Sequence, residues 1–138
     1  MTKVLATGVF NILQPGHLFY LKESKKLGDE LDVIVSSDKI AKTIVKKRVL
    51  PQEQRSEMVE ALKPVDKVYV GDDEDIFKLL PVIKPDVIAL GHDQDVDEKW
   101  LADKLLMRGI TSKIMRIRKT VDGDYLSTTS IVKALSKN

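Results

Sequence analysis

The chain lacks residues that several common kinds of protein depend on. It has no cysteine among its 138 residues, so it forms no disulfide, offers no thiol nucleophile and binds no metal through sulfur. This composition fits a reducing compartment, and we expect a cytoplasmic protein. Basic and acidic residues number 23 and 21, without the strong basic excess that is typical of nucleic-acid-binding proteins. We therefore predict no nucleic-acid partner.

Long apolar runs are missing as well. The amino-terminal apolar stretch runs for about eight residues and soon meets Pro15 and Gly16, whereas a bilayer span needs about 20 residues. We expect neither a signal peptide nor a membrane partner. A chain of this length buries about two-thirds of its unfolded surface in one core. Residues 1–138 are therefore predicted to form a single domain.

Short apolar runs alternate with helical patterns along the chain. The five predicted strands are KVLATGVF, LDVIVSS, DKVYVG, PDVIALG and SKIMRIR. The predicted helices are 15–27, ended by Gly28 at a C′ position, 51–63, about 73–83, where Pro81 obscures the end, 97–108, ended by Gly109, and 128–136. Strands and helices at this spacing form right-handed crossovers. The sequence thus predicts a doubly wound, Rossmann-like α/β domain with a parallel sheet of about five strands and helices on both faces.

Ligands of such sheets bind beyond the carboxyl ends of the strands, and the loop after the first strand carries Pro15, Gly16 and His17. Proline suits the first turn of a helix, and glycine lets another group approach the backbone closely. The free N–H groups and the dipole of that helix favour an anion, to which His17 can donate. A simple turn with a surface histidine is the alternative, but the position at the ligand edge favours a phosphate site.

The segment GVFNILQPGH resembles the Gly-x-Phe-Asp-x-x-His-x-Gly-His signature of the cytidylyltransferase-like nucleotidyltransferase family. The segments RVLPQEQRSEMVEALKPVDKVYVG, KPDVIALGHDQ and STTSIVKAL resemble, in order and spacing, the small archaeal FAD synthases. The resemblance covers nearly the whole chain and implies transfer of AMP from ATP to FMN. Glycerol-3-phosphate cytidylyltransferases, which use CTP, and sugar-phosphate adenylyltransferases share the fold and remain alternatives.

Two positions depart from the signature. Asn11 stands where the family usually has Asp, and Gln14 where it usually has the first His. Both side chains can donate through a neutral amide, but Gln14 cannot carry a proton charge. A nucleotide-binding protein without turnover is therefore a second hypothesis.

The resemblance assigns roles to particular residues. His17, assisted by Gln14, stabilises charge on the phosphates; Lys46 or its neighbour Lys47 neutralises a phosphate; and Arg55 braces the site. A solvated basic loop is the alternative for the lysines. The residues expected to bind the nucleotide are Val9, Phe10, Gln14, Pro15, Gly16, His17, Asp93, Arg118, Thr120, Ser127, Thr128 and Thr129.

Some of these assignments also have a physical basis in the sequence. Asp93 follows a strand and can accept from a ribose hydroxyl or a base amino group, although it can instead cap a helix. Capping explains one hydroxyl of Ser127 to Thr129, and the others are free to surround the β- and γ-phosphates. Arg116 and Arg118 end the last strand, where cations would face the same triphosphate.

The implied reaction needs no general base, because the attacking phosphate is already ionised at neutral pH. We expect Mg²⁺ to accompany ATP and to be held by substrate oxygens rather than by a protein metal site. Family resemblance suggests a homodimer. The seven aromatic residues define no flavin pocket by their spacing, so FMN as the acceptor rests on the resemblance.

Overall fold

The computed structural model describes residues 1–45, 48–118 and 128–136. Its strands are β1 (Lys3–Gly8), β2 (Glu30–Val35), β3 (Lys67–Val70), β4 (Val87–Leu90) and β5 (Lys113–Arg116). Its helices are α1 (Pro15–Lys25), α2 (Asp38–Ile44), α3 (Gln52–Glu60), α4 (Leu80–Ile83), α5 (Glu98–Met107) and α6 (Thr128–Leu135). Within these ranges no helix combines the length and the apolar character needed to cross a bilayer.

The five strands form one parallel sheet in the order β3-β2-β1-β4-β5. The chain first builds outward from β1 through β2 to β3, then crosses back to place β4 on the other side of β1. The strand order therefore reverses between β1 and β4, which is where ligands of such sheets bind. The predicted doubly wound α/β fold is confirmed.

Two apolar layers cover the sheet because side chains alternate along each strand. Val4 and Ala6 of β1 face helices α1 and α3, which cover what we call the first face. Leu5 faces helices α4 and α5, which cover the second face. Strands buried on both sides are apolar at nearly every position, as the sequence shows.

Two helix predictions need correction. The pattern over 73–83 predicted one helix, but an α-helix forms only over Leu80–Ile83, with Pro81 in its first turn. Asp72 explains the difference, because its carboxylate accepts from the backbone N–H groups of Glu74 and Asp75 and so favours a turn there. Helix α2 was not predicted. It has only seven residues, too few to show a period, and the Ser37 side chain caps it.

The two predicted C′ glycines differ. Gly109 has φ of +70° and ends α5 as expected. Gly28 does not have a positive φ, so the left-handed C′ position predicted there is wrong. A Cβ at Gly28 would instead lie 2.6 Å from the Thr2 carbonyl oxygen. Glycine is needed at this position because the start of β1 packs against it.

A buried carboxyl lies near the amino end of the sheet. Asp32 of β2 is fully buried, and neither of its side-chain oxygens has a hydrogen-bond partner among the described residues. Burial and the neighbouring Glu30 raise the pKa of Asp32 to about 6. The folded protein therefore resists ionisation of this group.

We expect Asp32→Asn to stabilise the protein above about pH 6. Unfolding releases Asp32 to ionise freely, so wild-type stability falls as the pH rises from the unfolded to the folded pKa. The amide mimics the neutral acid and removes this loss, which is up to about 3 kcal/mol at roughly 1.4 kcal/mol per pKa unit. Urea unfolding between pH 4.5 and 8 measures the gain. A gain that does not shrink toward low pH would contradict the assignment.

Candidate active site

The strands β1 and β4 pair directly only at Val4 with Val87 and Leu5 with Ile88. Beyond these pairs, a regular parallel ladder would join the Thr7 N–H to the Ala89 carbonyl and the Gly91 N–H to the Thr7 carbonyl. Side chains stand in both places instead. The strand ends are therefore held together through intervening groups at the reversal of strand order.

Tyr20 of α1 replaces the first of these ladder bonds. Its hydroxyl accepts from the Thr7 N–H at 3.1 Å and donates to the Ala89 carbonyl at 2.7 Å. Burial raises the pKa of this hydroxyl, so it stays protonated and available to donate. Tyr20 thus ties α1 to both strands at once.

Gln94, in the loop after β4, replaces the second bond. Its Oε1 accepts from the Gly91 N–H at 2.6 Å, and its Nε2 donates to the Thr7 carbonyl at 3.2 Å. We call Tyr20 and Gln94 the two relays. Neither was among the residues predicted for the site, although Tyr20 lies one helical turn after His17 and Gln94 falls in the GHDQ loop.

The loop after β1 brings Phe10 against His17. Phe10 is buried and has φ of +52°, a left-handed conformation that is strained for a non-glycine residue. A Cβ at Gly8 would lie 2.8 Å from the Phe10 ring, so glycine leaves room for it. The ring meets the His17 imidazole edge to face, with centroids 5.3 Å apart. The left-handed turn at Phe10 thus accompanies a ring contact against His17.

His17 lies in the first turn of α1, which begins at Pro15 as predicted, and Gln14 is the N-cap residue. The Gln14 N–H points to His17 Nδ1 at 3.3 Å, so Nδ1 is the acceptor and the proton of the neutral ring lies on Nε2. Burial lowers the pKa of His17, and the negative charge of Asp93 opposes this in part. At neutral pH the residue is an uncharged Nε2–H donor.

Asn11 is one of the two departures from the family signature. Its side chain binds the backbone of the segment between α2 and α3. Its Oδ1 accepts from the Leu50 N–H at 2.8 Å, and its Nδ2 donates to the Arg48 carbonyl at 3.0 Å. An ionised aspartate could make only the first of these bonds. At the other departure, Gln14 Nε2 donates to the Ile12 carbonyl at 2.7 Å.

Arg55 of α3 is almost fully buried. Its guanidinium donates to the carbonyls of Leu50, Val9 and Ser36 and pairs with Asp38, all at 2.6 to 2.9 Å. The three carbonyls lie on the loops after β1 and β2 and on the segment before α3, and Asp38 begins α2. Since its side chain is wholly enclosed, we place Arg55 among the positioning residues rather than the catalytic ones.

The loop after β4 presents Asp93, whose side chain is 83% exposed, on the His17 side of the site. Arg116, predicted to face the triphosphate, binds the loop after β4 in this structure. Its guanidinium donates to the carbonyls of Gly91, Gln94 and Val96 and pairs with Glu98. It holds this loop in place, whereas Arg118 is exposed.

Several predicted site residues lie outside the ranges that the structure describes. Lys46, Thr120 and Ser127 lie outside the described residues. Thr128 and Thr129 begin α6 as predicted, but their side chains are also outside the description. The convergence of the amino ends of α1 and α6 on one triphosphate stays a prediction.

Comparison with known proteins extends over nearly the whole chain. The family model described as Cytidylyltransferase-like matches residues 5–134. A FAD synthase of Ferroglobus placidus is 51% identical over 98% of this chain and 88% of its own length, and one of Archaeoglobus profundus is 48% identical over 98% and 86%. A crystal structure titled lipopolysaccharide core biosynthesis protein, from Thermoplasma volcanium, has a TM-score of 0.84 and 46% identity. That match covers 88% of this chain and 99% of the other.

We expect Tyr20→Phe to lower the free energy of unfolding by about 1–3 kcal/mol, because it leaves a buried N–H and a buried carbonyl without their partner. Tyr69→Phe is the matched control, since the Tyr69 hydroxyl makes no hydrogen bond among the described residues. Urea unfolding of both variants measures the difference. Equal effects would show that the Tyr20 hydroxyl is not a relay.

Proposed function

The chain belongs to the cytidylyltransferase-like family, and we propose that it is a FAD synthase, which transfers AMP from ATP to FMN. The observation that carries the proposal is the near-complete match to proteins of that name. The site supports it, because a neutral histidine donor stands at the amino end of α1 where the strand order reverses. A helix N-terminus of this kind favours phosphate.

In the reaction, a phosphate oxygen of FMN attacks the α-phosphorus of ATP. The new bond joins the two phosphates, and the bond from the α-phosphorus to the bridging oxygen breaks, so that pyrophosphate leaves. The FMN phosphate is already ionised, and no residue needs to remove a proton from it. The protein contributes alignment and stabilisation of the charge that builds on the transferred phosphate and the leaving group.

His17 is suited to that stabilisation, because its Nδ1 accepts from the Gln14 N–H, while its Nε2–H makes no hydrogen bond among the described residues and can donate without carrying charge. The backbone N–H of Gly16 adds a further donor at this helix end. Asn11 and Arg55 act indirectly, by holding the loops that surround His17. We propose that Gln14, Lys46 and Asp93 contact the substrates.

The remaining nucleotide contacts are proposals from the family pattern. They comprise Val9, Phe10, Arg118, Thr120, Ser127, Thr128 and Thr129. We also propose that residues 1–138 act as one nucleotidyltransferase domain, in the cytoplasm and as a homodimer.

Mg²⁺ is proposed to arrive with ATP. Among the described residues, no group of three or more His, Asp or Glu side chains could hold a metal ion. The donors near His17 suit phosphate oxygens rather than a cation, and Mg²⁺ commonly binds through substrate phosphates and water. It would neutralise charge on the triphosphate.

Incubation with ATP, Mg²⁺ and FMN is expected to release pyrophosphate and form FAD, as measured by chromatography and a coupled pyrophosphate assay. CTP with glycerol 3-phosphate is the comparison reaction. If only that pair reacts, the protein is a cytidylyltransferase. If ATP binds but no acceptor reacts, the protein is a nucleotide-binding protein without turnover.

His17→Ala is expected to reduce turnover by more than tenfold, because one well-placed donor to a developing charge contributes about 3 kcal/mol. The matched control is His92→Ala, which removes the other histidine of the chain, whose side chain is half-exposed in the loop after β4. Steady-state kinetics and the unfolding midpoint are measured for both. Near-normal turnover in the His17 variant would remove this residue from the mechanism.

A further inference from the structure

A cavity of about 250 Å³ lies on the second face of the sheet, away from α1. Its floor is formed by Leu5, Ile34, Ile88 and Leu90, all of which are buried strand residues. Because its floor is the apolar surface of the sheet, it is a candidate for binding an apolar ring.

The walls come from three separate segments. Ile40 belongs to α2, Ile76 and Phe77 to the turns before α4, and Trp100 to α5. The rings of Phe77 and Trp100 lie 6.1 Å apart at a tilt of 42°. Trp100 is nevertheless 45% exposed, and Ile76 is 54% exposed. Large apolar side chains at the mouth of a cavity are positioned to cover something that enters it.

The cavity is continuous with the reversal of strand order. Thr7 and Gln94, which take part in the relays that hold β1 and β4 apart, line its edge. Ser36, also at the edge, donates its backbone N–H to the Gly8 carbonyl at 2.9 Å. Gly8 in turn makes room for Phe10, which touches His17. One loop therefore separates the cavity from the proposed phosphate site.

The distribution of polar atoms limits what can bind here. The floor is hydrocarbon, while the polar lining residues lie at or after the carboxyl ends of the strands: Thr7, Ser36, Ser37, Asp72 and Gln94. Adenine carries hydrogen-bonding nitrogens on both of its rings and would leave some of them unpaired against that floor. The isoalloxazine ring of a flavin has a dimethylbenzene end without polar atoms and a polar pyrimidine end. The dimethylbenzene end suits the apolar floor, and the pyrimidine end suits the polar groups at the ends of the strands.

The volume of the cavity also favours a single ring system. Pockets that enclose a whole drug-sized ligand usually measure about 300–1,000 Å³, so 250 Å³ suits one flat ring system and not an entire dinucleotide. The ribityl phosphate of FMN would remain outside, at the edge of the sheet that carries His17.

We propose that this cavity binds the isoalloxazine ring of FMN, with Trp100 covering the ring and Ile40 against its apolar end. The inference rests on the proposed function, because FMN is the acceptor of that reaction. It goes further by placing the two substrates on opposite faces of the sheet. Their phosphates would meet where β1 and β4 are held apart.

The test fills the cavity without touching the phosphate site. Ile40→Trp places a large ring in the cavity, and Thr43→Trp places the same ring on the exposed side of α2, where it does not line the cavity. For Ile40→Trp we expect the Kd and the KM for FMN to rise at least about tenfold, which corresponds to about 1.4 kcal/mol. The KM for ATP should stay near wild type, and Thr43→Trp should change neither constant.

Binding is measured separately from turnover. FMN emission, which is quenched when the flavin stacks on an aromatic ring, is titrated with protein in the absence of ATP. Trp100→Ala is expected to weaken both the quenching and the binding, because Trp100 is the only tryptophan in the chain. Ile76→Trp, at the exposed mouth, replaces Ile40→Trp if that variant does not fold.

The outcomes separate the inference from the proposed function. If wild type neither binds FMN nor forms FAD, the proposed function fails. If wild type forms FAD while the cavity variants retain its FMN constants, the function stands and the cavity assignment is overturned. A rise in the KM for ATP in place of FMN would assign the cavity to adenine and would also overturn the inference.

Discussion

The site depends on the way in which β1 and β4 are joined at their carboxyl ends. Two ladder hydrogen bonds of the sheet are replaced by relays through the Tyr20 hydroxyl and the Gln94 carboxamide. The N–H and carbonyl of Thr7, the carbonyl of Ala89 and the N–H of Gly91 all keep a partner, so separating the strands leaves none of these four groups unsatisfied. The separation opens space at the reversal of strand order, with His17 on one face of the sheet and the apolar cavity on the other.

Loops around this opening are held by side chains rather than by regular secondary structure. Arg55 joins three of them through carbonyl groups, and Arg116 does the same for the loop after β4. These buried or partly buried cations are hydrogen-bonded throughout, as a buried charge must be. The strained backbone of Phe10 is maintained in this setting, since Arg55 holds the carbonyl of the residue before it.

Both departures from the family signature have an account in the structure. The Asn11 amide, which an aspartate lacks, donates one hydrogen bond and accepts another. Together they join the loop after β1 to the segment between α2 and α3. Gln14 caps α1 and offers its backbone N–H to His17. The orientation of His17 therefore depends on the backbone of position 14, which a glutamine supplies as well as a histidine. The side chain of Gln14 donates to the Ile12 carbonyl and so also stabilises the turn before α1.

The sequence alone determined the five strands, their alternation with helices, the parallel sheet, and the corner formed by Pro15, Gly16 and His17, because these follow from local pattern and from residues adjacent in the chain. It also predicted Gly109 as a helix end, which depends on one residue's backbone freedom. Only the tertiary structure decided that Tyr20 and Gln94 replace ladder bonds, that Arg116 serves a loop, and that an apolar cavity lies under Trp100. Each of these joins groups far apart in sequence, and no local pattern records which distant carbonyl or ring a side chain will meet.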